Sequence, residues 1–215
     1  VQTCALPISA KGFPPVSVDA GEVALQYGVT RQMQDAWAFR TQERYAKAFA
    51  EGKFKIGEEL MPVVIPQKKG DPIVIDKDES PRKTSLEALS KLKTVYGSPT
   101  VTAGNAPPIS AGASAILVMT RKKAEAKGLK PLATVVAVVG TATKPRDIAV
   151  IPALTIQAAL KRAGLSIDRM DLIEINEAFA AMPLVSTKIL AENDEGKWQA
   201  LQDRTNVNGG AIAIG

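Results

Sequence analysis

Three short stretches concentrate the residue types that do chemistry. The first is Ile173-Glu174-Ile175-Asn176-Glu177-Ala178-Phe179-Ala180-Ala181. It reads as a buried strand that delivers Asn176 to its carboxyl end, where α/β folds place ligands. A carboxamide donates and accepts hydrogen bonds without adding charge, so it can fix a water or a carbonyl. On position alone the stronger reading is the N-cap of a helix predicted over 177–190, with Glu177 complementing the helix dipole. The second stretch, Thr100-Val101-Thr102-Ala103-Gly104-Asn105-Ala106-Pro107-Pro108, is built of small residues. Such residues let a backbone approach a ligand closely, or they make a crowded turn between layers. The third is Asn206-Val207-Asn208-Gly209-Gly210-Ala211-Ile212-Ala213-Ile214-Gly215. Gly210 and Gly215 have the spacing of a phosphate-cradling P-loop, but the four residues between them are apolar, and the Lys and Ser/Thr that would decide the matter would be the next residues after Gly215.

Composition narrows the chemistry. The 215 residues contain no histidine and one cysteine, Cys4, which excludes a disulfide framework and makes a transition-metal or zinc site a poor expectation. The single thiol suits a reducing compartment, so a cytoplasmic location is expected. No apolar run reaches the ~18 residues of a membrane span. The net charge of +5 comes from interspersed signs, and aromatics are only 5%. No basic stripe interleaves with stacking rings, which argues against a nucleic-acid partner and leaves room for a small polyanion.

The elements that must position these stretches follow from periodicity and punctuation. Residues 10–18 read as a loop, and 19–27 as a helix stopped by Gly28. Thr30 is the expected N-cap of a long helix over 31–51, with Met33, Trp37, Tyr45, Ala48 and Phe49 on its apolar face and Arg40, Glu43, Arg44 and Lys47 mostly elsewhere. Residues 60–65 and 72–76 suit two short strands around the Lys68-Lys69-Gly70-Asp71 turn. Ser85 caps a short helix. Residues 113–120 and the valine-rich 131–141 are predicted strands, with a helix over 121–127 between them. Pro152 opens a helix that ends at Gly164, and 172–175 is a short buried strand. Pro183 is expected to kink the 177–190 helix. Strands alternating with helices indicate an α/β layered sheet. The chain starts at Val1 and stops at Gly215 inside the third stretch, and both ends read as cut. Val1 to Ile8 resembles a translated sequencing adapter, so residues 1–9 are read as an artefactual leader, with a genuine upstream loop as the alternative.

The order Thr-Ala-Gly-Asn-Ala, then Asn-Glu-Ala-Phe-Ala, then Asn-Val-Asn-Gly-Gly-Ala-Ile-Ala-Ile-Gly resembles the biosynthetic and degradative thiolases. Ala24-Leu25-Gln26-Tyr27-Gly28, Gln34-Asp35-Ala36-Trp37-Ala38, Lys69-Gly70-Asp71-Pro72 and residues 86–93 match in the same order. The resemblance implies part of a layered α/β/α/β/α fold. Residues 10–112 would be the later part of an inserted loop domain, 113–120 the last strand of the N-terminal half, and 121–215 part of the C-terminal half. It implies a reversible Claisen condensation between coenzyme A thioesters, with no permanently bound cofactor and no metal. Asn176 matches the asparagine that holds a water against the enolate oxygen. Arg82, Leu92, Ala103 and Phe179 match positions along the coenzyme A path. The family's nucleophilic cysteine, proton-shuttling cysteine and histidine have no counterparts in the 215 residues, so the chain is expected to be inactive alone. The intact protein is expected to form dimers or tetramers. Pro107, Ser110-Ala111 and Pro15-Val16 depart from residues common in the family. A non-catalytic coenzyme A-binding module and a P-loop protein remain the alternatives.

Overall fold

The computed structural model describes residues 14–215. The suspected leader and Cys4 lie outside the described residues. Helix α1 (Val16–Gln26) runs into Gly28, whose φ of 70° lets the chain turn sharply toward the next helix. Helix α2 (Arg31–Ala50) is the spine of the molecule. Its N-cap is Thr30, whose hydroxyl accepts from the Met33 amide at 3.3 Å. Strands β1 (Val63–Ile65) and β2 (Ile73–Ile75) pair antiparallel in the register Val63↔Ile75 and Ile65↔Ile73. Helix α3 (Leu86–Ser90) is capped by Ser85 as expected. Helix α4 (Arg121–Ala126) is followed by a 3-10 turn at Pro145–Asp147 and by α5 (Ile151–Ala163), which Gly164 ends in the left-handed region. Helices α6 (Ala181–Leu190), α7 (Glu195–Asp203) and the single turn α8 (Ala211–Ile214) complete the chain.

The core forms where α1, α2, α5, α6 and α7 meet the 173–175 segment and α8. Trp37, Val101, Ile175, Val185, Trp198, Leu201 and Ile212 are all buried there. The buried face of α2 differs from the expected apolar stripe. Met33 is exposed, whereas Gln34, Asp35, Thr41 and Gln42 are buried beside Trp37 and Tyr45. Arg40 and Arg44 point inward too, reaching the carbonyls of Gln202 and Thr205. Polar residues enter this core because other segments supply partners for them, which a hydrophobicity pattern does not register.

Five expectations about elements are corrected. Helix α1 starts at Val16, inside the stretch read as a 10–18 loop. The expected 172–175 strand makes a single bridge, Ile173 to Thr205, and leaves Leu172 exposed. The 177–190 helix begins only at Ala181, because the Glu177 side chain turns inward and the Ala180 amide donates to the Asn105 carbonyl at 2.9 Å. Pro183 therefore sits in the first helical turn, where its missing N–H has no helical partner to lose, and it produces no mid-helix defect. The segments 113–120 and 131–141 form no strand ladder among the described residues. They run with Leu117, Leu132 and Val136 in solvent. A strand satisfies its peptide groups only against a neighbouring strand, and none lies beside these.

Candidate functional site

Segment 173–175 holds its place through an unusual pairing with residues 204–206. The Ile173 amide donates to the Arg204 carbonyl at 3.0 Å, and the Asn206 amide donates to the Ile173 carbonyl at 2.9 Å. The next rung is made by a side chain. Asn206 Oδ1 accepts from the Ile175 amide at 2.9 Å, and Asn206 Nδ2 donates to the Ile175 carbonyl at 2.8 Å. The carboxamide thus imitates a peptide group. Asn206 itself has φ 51°, a conformation asparagine tolerates better than most side chains.

Immediately after Ile175 the chain presents Asn176 to solvent and buries Glu177 completely. Asn176 caps no helix, because the residue preceding α6 is Ala180. It lines a cavity of about 490 Å³ walled by Phe54, Glu174, Asn208, Gly210 and Ile214. The Glu174 carboxyl is held above its ordinary pKa, first by desolvation and then by the negative Glu177, with Arg44 opposing.

The Glu177 carboxylate is enclosed by donors. Trp37 Nε1 donates to Oε1 at 2.8 Å, Thr41 Oγ1 donates to Oε1 at 2.9 Å, Asn206 Nδ2 donates to Oε1 at 3.0 Å, and the Ile212 amide donates to Oε2 at 3.1 Å. Arg40 lies over the Trp37 ring with its guanidinium carbon 3.7 Å from the centroid. Burial, then Arg44, push its pKa down to about 10, with Asp203 and Glu177 opposing. The two glycines of the third stretch are close-fitting parts of this cluster. A Cβ on Gly210 would fall 2.6 Å from the Glu177 carboxyl carbon, and one on Gly209 would fall 2.7 Å from Tyr45 Cβ.

The second stretch joins the same assembly. Asn105 is fully buried, accepts from the Thr102 amide at 2.8 Å and donates to Asp35 at 3.0 Å and to the Thr100 carbonyl at 3.1 Å. Asp35 also holds Arg31, which reaches the carbonyls of Leu89 and Leu92. Leu89 and Leu92 close over Gly104, where a Cβ would meet them at 2.5 and 2.6 Å.

The expected site residues fall in two places. Arg82 and Ala103 are brought together, the guanidinium donating to the Ala103 carbonyl at 2.8 Å, with Leu92 against the adjacent Gly104. Arg82 lines a separate cavity of about 420 Å³ with Tyr45, Phe49, Lys77 and Lys83. Asn176 lines the other cavity, and Phe179 is half-buried against the core. The stretch between Gly210 and Gly215 is a helical turn, not an open phosphate loop. Among the described residues no cluster of histidine, cysteine, aspartate or glutamate could hold a metal ion, and no helix is long and apolar enough to cross a membrane.

Sequence reasoning missed the roles of Asn206, Asn105, Thr41 and Gln42, and it gave Glu177 a dipole role that the structure does not support. One signal was available: Gln34, Thr41 and Gln42 recur at helical spacing on the face that also carries Trp37 and Tyr45. A polar stripe within an apolar face marks a helix that receives buried partners.

The geometry is matched by known proteins. A sequence model described as thiolase, N-terminal domain, matches residues 12–122, and one described as thiolase, C-terminal domain, matches residues 129–215. The chain is 44% identical over 203 residues to an acetyl-CoA acetyltransferase of Syntrophomonas wolfei subsp. wolfei, covering 93% of this chain and 48% of that protein. It is 44% identical over 206 residues to a beta-ketoadipyl-CoA thiolase of Acinetobacter baylyi, covering 95% and 49%. The crystal structure of the Bacillus anthracis acetyl-CoA acetyltransferase superimposes with a TM-score of 0.84 at 33% identity, covering 94% of this chain and 49% of that one. Human mitochondrial 3-ketoacyl-CoA thiolase gives 0.82 at 35% identity, covering 94% and 48%. The chain thus spans about half the length of the curated relatives it matches. Two family models and two solved structures agree with the α/β fold class and with the three ordered motifs: the chain belongs to the thiolase family.

Proposed function

We propose that these residues are part of an acyl-CoA acyltransferase that condenses two acetyl-CoA to acetoacetyl-CoA and coenzyme A, or cleaves a longer 3-ketoacyl-CoA. The observation that carries this reading is Asn176, an exposed carboxamide in a cavity, delivered by the locked 173–175 segment and free of any capping duty. Its amide anchors a water beside the enolate oxygen that forms when a proton leaves the carbon alpha to the thioester. A fixed neutral donor there lowers the barrier without an ionic cost. The acyl group itself travels on a cysteine thiolate, which is both a strong nucleophile and a good leaving group.

This sequence supplies neither that thiolate nor the family histidine, because Cys4 matches neither family cysteine. The sequence has no histidine, and its one cysteine is Cys4. The 215-residue chain is therefore inactive alone. In the complete protein residues 10–112 act as a partial loop domain, 113–120, which form no ladder here, pair as the last strand of one half, and 121–215 act as part of the other. The substrates are coenzyme A thioesters with no resident cofactor. The working protein is a cytoplasmic homo-oligomer, a dimer or a tetramer. Arg82 faces the nucleotide end of coenzyme A, where a guanidinium can pair with phosphate or stack on adenine. Leu92, Ala103 and Phe179 border the pantetheine arm.

Thiolysis of acetoacetyl-CoA tests this reading. The purified chain should show no turnover, and robust turnover would overturn the inactivity. In a complete thiolase containing these residues, Asn176→Ala should lower kcat by about 100- to 1000-fold. An unchanged kcat would refute the assignment of Asn176. The non-catalytic binding module is favoured only if the chain binds coenzyme A, Arg82→Ala abolishes that binding, and the complete protein is inert.

A further inference from the structure

We infer that Asn206 and Glu177 are positioning residues that lock Asn176 from both sides, one through the backbone before it and one through the side chain after it. The inference rests on the catalytic reading of Asn176 for its purpose, but not for its test. Asn176 is flanked by Ile175, whose amide and carbonyl are both held by the Asn206 carboxamide, at 2.9 and 2.8 Å. On the other side Glu177 is fixed by Trp37, Thr41 and the Ile212 amide. The two locks are themselves joined, Asn206 Nδ2 to Glu177 Oε1 at 3.0 Å. All of these groups are buried, so water does not compete for them.

The chemistry of the partners explains the residue types. Trp37 Nε1, Asn206 Nδ2 and a backbone amide only donate, so the group they surround must accept at both oxygens. A carboxylate does this and a carboxamide does not. A glutamine at 177 would turn an NH2 toward one of these donors. Asparagine at 206 is equally constrained, because it must accept from one peptide group and donate to another of the same residue. Gly210 lets the carboxylate lie flush against the backbone of the third stretch. The outcome is that a helix of the first part of the chain, α2, sets the height and direction of a side chain about 140 residues later. A catalytic group must be held to fractions of an ångström to be effective, and this cluster supplies that restraint.

Native-state hydrogen exchange on the purified chain, followed by NMR, tests the pair. Asn206→Ala should speed exchange of the Ile175 amide by at least about tenfold and sharpen the mobile signature of the Asn176 side-chain amide, with a smaller change elsewhere. Leu201→Ala, which removes buried volume next to the same region, should raise exchange broadly and leave the relative protection of residues 174–177 unchanged. Glu177→Gln should shift the Ile212 amide and Trp37 indole proton resonances upfield, while Glu177→Asp, which keeps the charge, should recover part of that shift. A uniform rise in Asn206→Ala that matches Leu201→Ala would overturn the proposal, as would unchanged Ile212 and Trp37 resonances in Glu177→Gln. These readouts need no turnover. A kcat unaffected by Asn176→Ala in a complete thiolase would therefore count against the catalytic reading alone.

Discussion

Two regions of the same chain contrast sharply. Around α2, polar side chains are buried and apolar ones are shared among five helices. Across 113–120 and 131–141, valine, leucine and isoleucine stand in water; Val136 is 71% exposed, whereas Trp198 in the core is 4% exposed. Composition alone would have ranked them the other way. The valine-rich segment is the more apolar, and α2 has a negative mean hydropathy. Burial is a property of partners, not of residues. A helix closes its own backbone hydrogen bonds and needs only a face to pack, whereas a strand leaves its peptide groups open until another strand arrives. The helices therefore consolidate around one another, while the valine-rich segments stand without a ladder among the described residues. Long exposed apolar segments of this kind favour association.

The largest test of this contrast truncates one apolar side chain in each region. Trp198→Ala removes a buried ring whose Nε1 donates to the Leu184 carbonyl and to Thr187 Oγ1, and it should cost about 3–5 kcal/mol in urea unfolding. Val136→Ala should change the same midpoint by no more than about 0.5 kcal/mol. Equal losses would break the distinction between the regions. Of intermediate size is Asn105→Ala, which strands the Thr102 amide, the Thr100 carbonyl and one Asp35 oxygen in a buried turn. It should destabilise by about 1–3 kcal/mol, read from thermal melts. A cost near zero would show that the polar cluster follows the packing instead of supporting it.

The smallest effect is one of pH. Burial, then the charge of Asp78 and a hydrogen bond to it, raise the pKa of Tyr45, which packs beside Gly209. Below the ordinary tyrosine value of about 10 both folded and unfolded chains keep the phenolic proton, and the contribution is fully present. As pH climbs past that value the unfolded chain ionises first, so stability falls until the folded pKa is passed. Tyr45→Phe should flatten this alkaline slope in denaturation midpoints measured across pH. An unchanged slope would place the loss elsewhere.

Much of the local structure was legible because its causes are local. Thr30 and Ser85 could be read as caps from their place before a periodic run, and Gly28 and Gly164 as stops. The strands expected over 60–65 and 72–76 could be read from short apolar runs on either side of a turn, although the ladder covers only Val63–Ile65 and Ile73–Ile75. Asn176 stood out as a lone amide between a predicted strand and a predicted helix, and the family motif made it the candidate. Its neighbour misled for the same reason: beside a predicted helix start, Glu177 looks like a dipole partner. Only the fold reveals that Trp37, Thr41, Asn206 and Ile212 converge on it from three distant segments.

The sequence by itself determined several helix caps and stops and, through the order of its motifs, the family. The tertiary structure decided which polar residues go inside and which apolar ones stay out. Helix caps and turns depend on atoms a few residues apart, whereas burial depends on what distant segments bring to the same point. No local pattern of residues specifies that meeting.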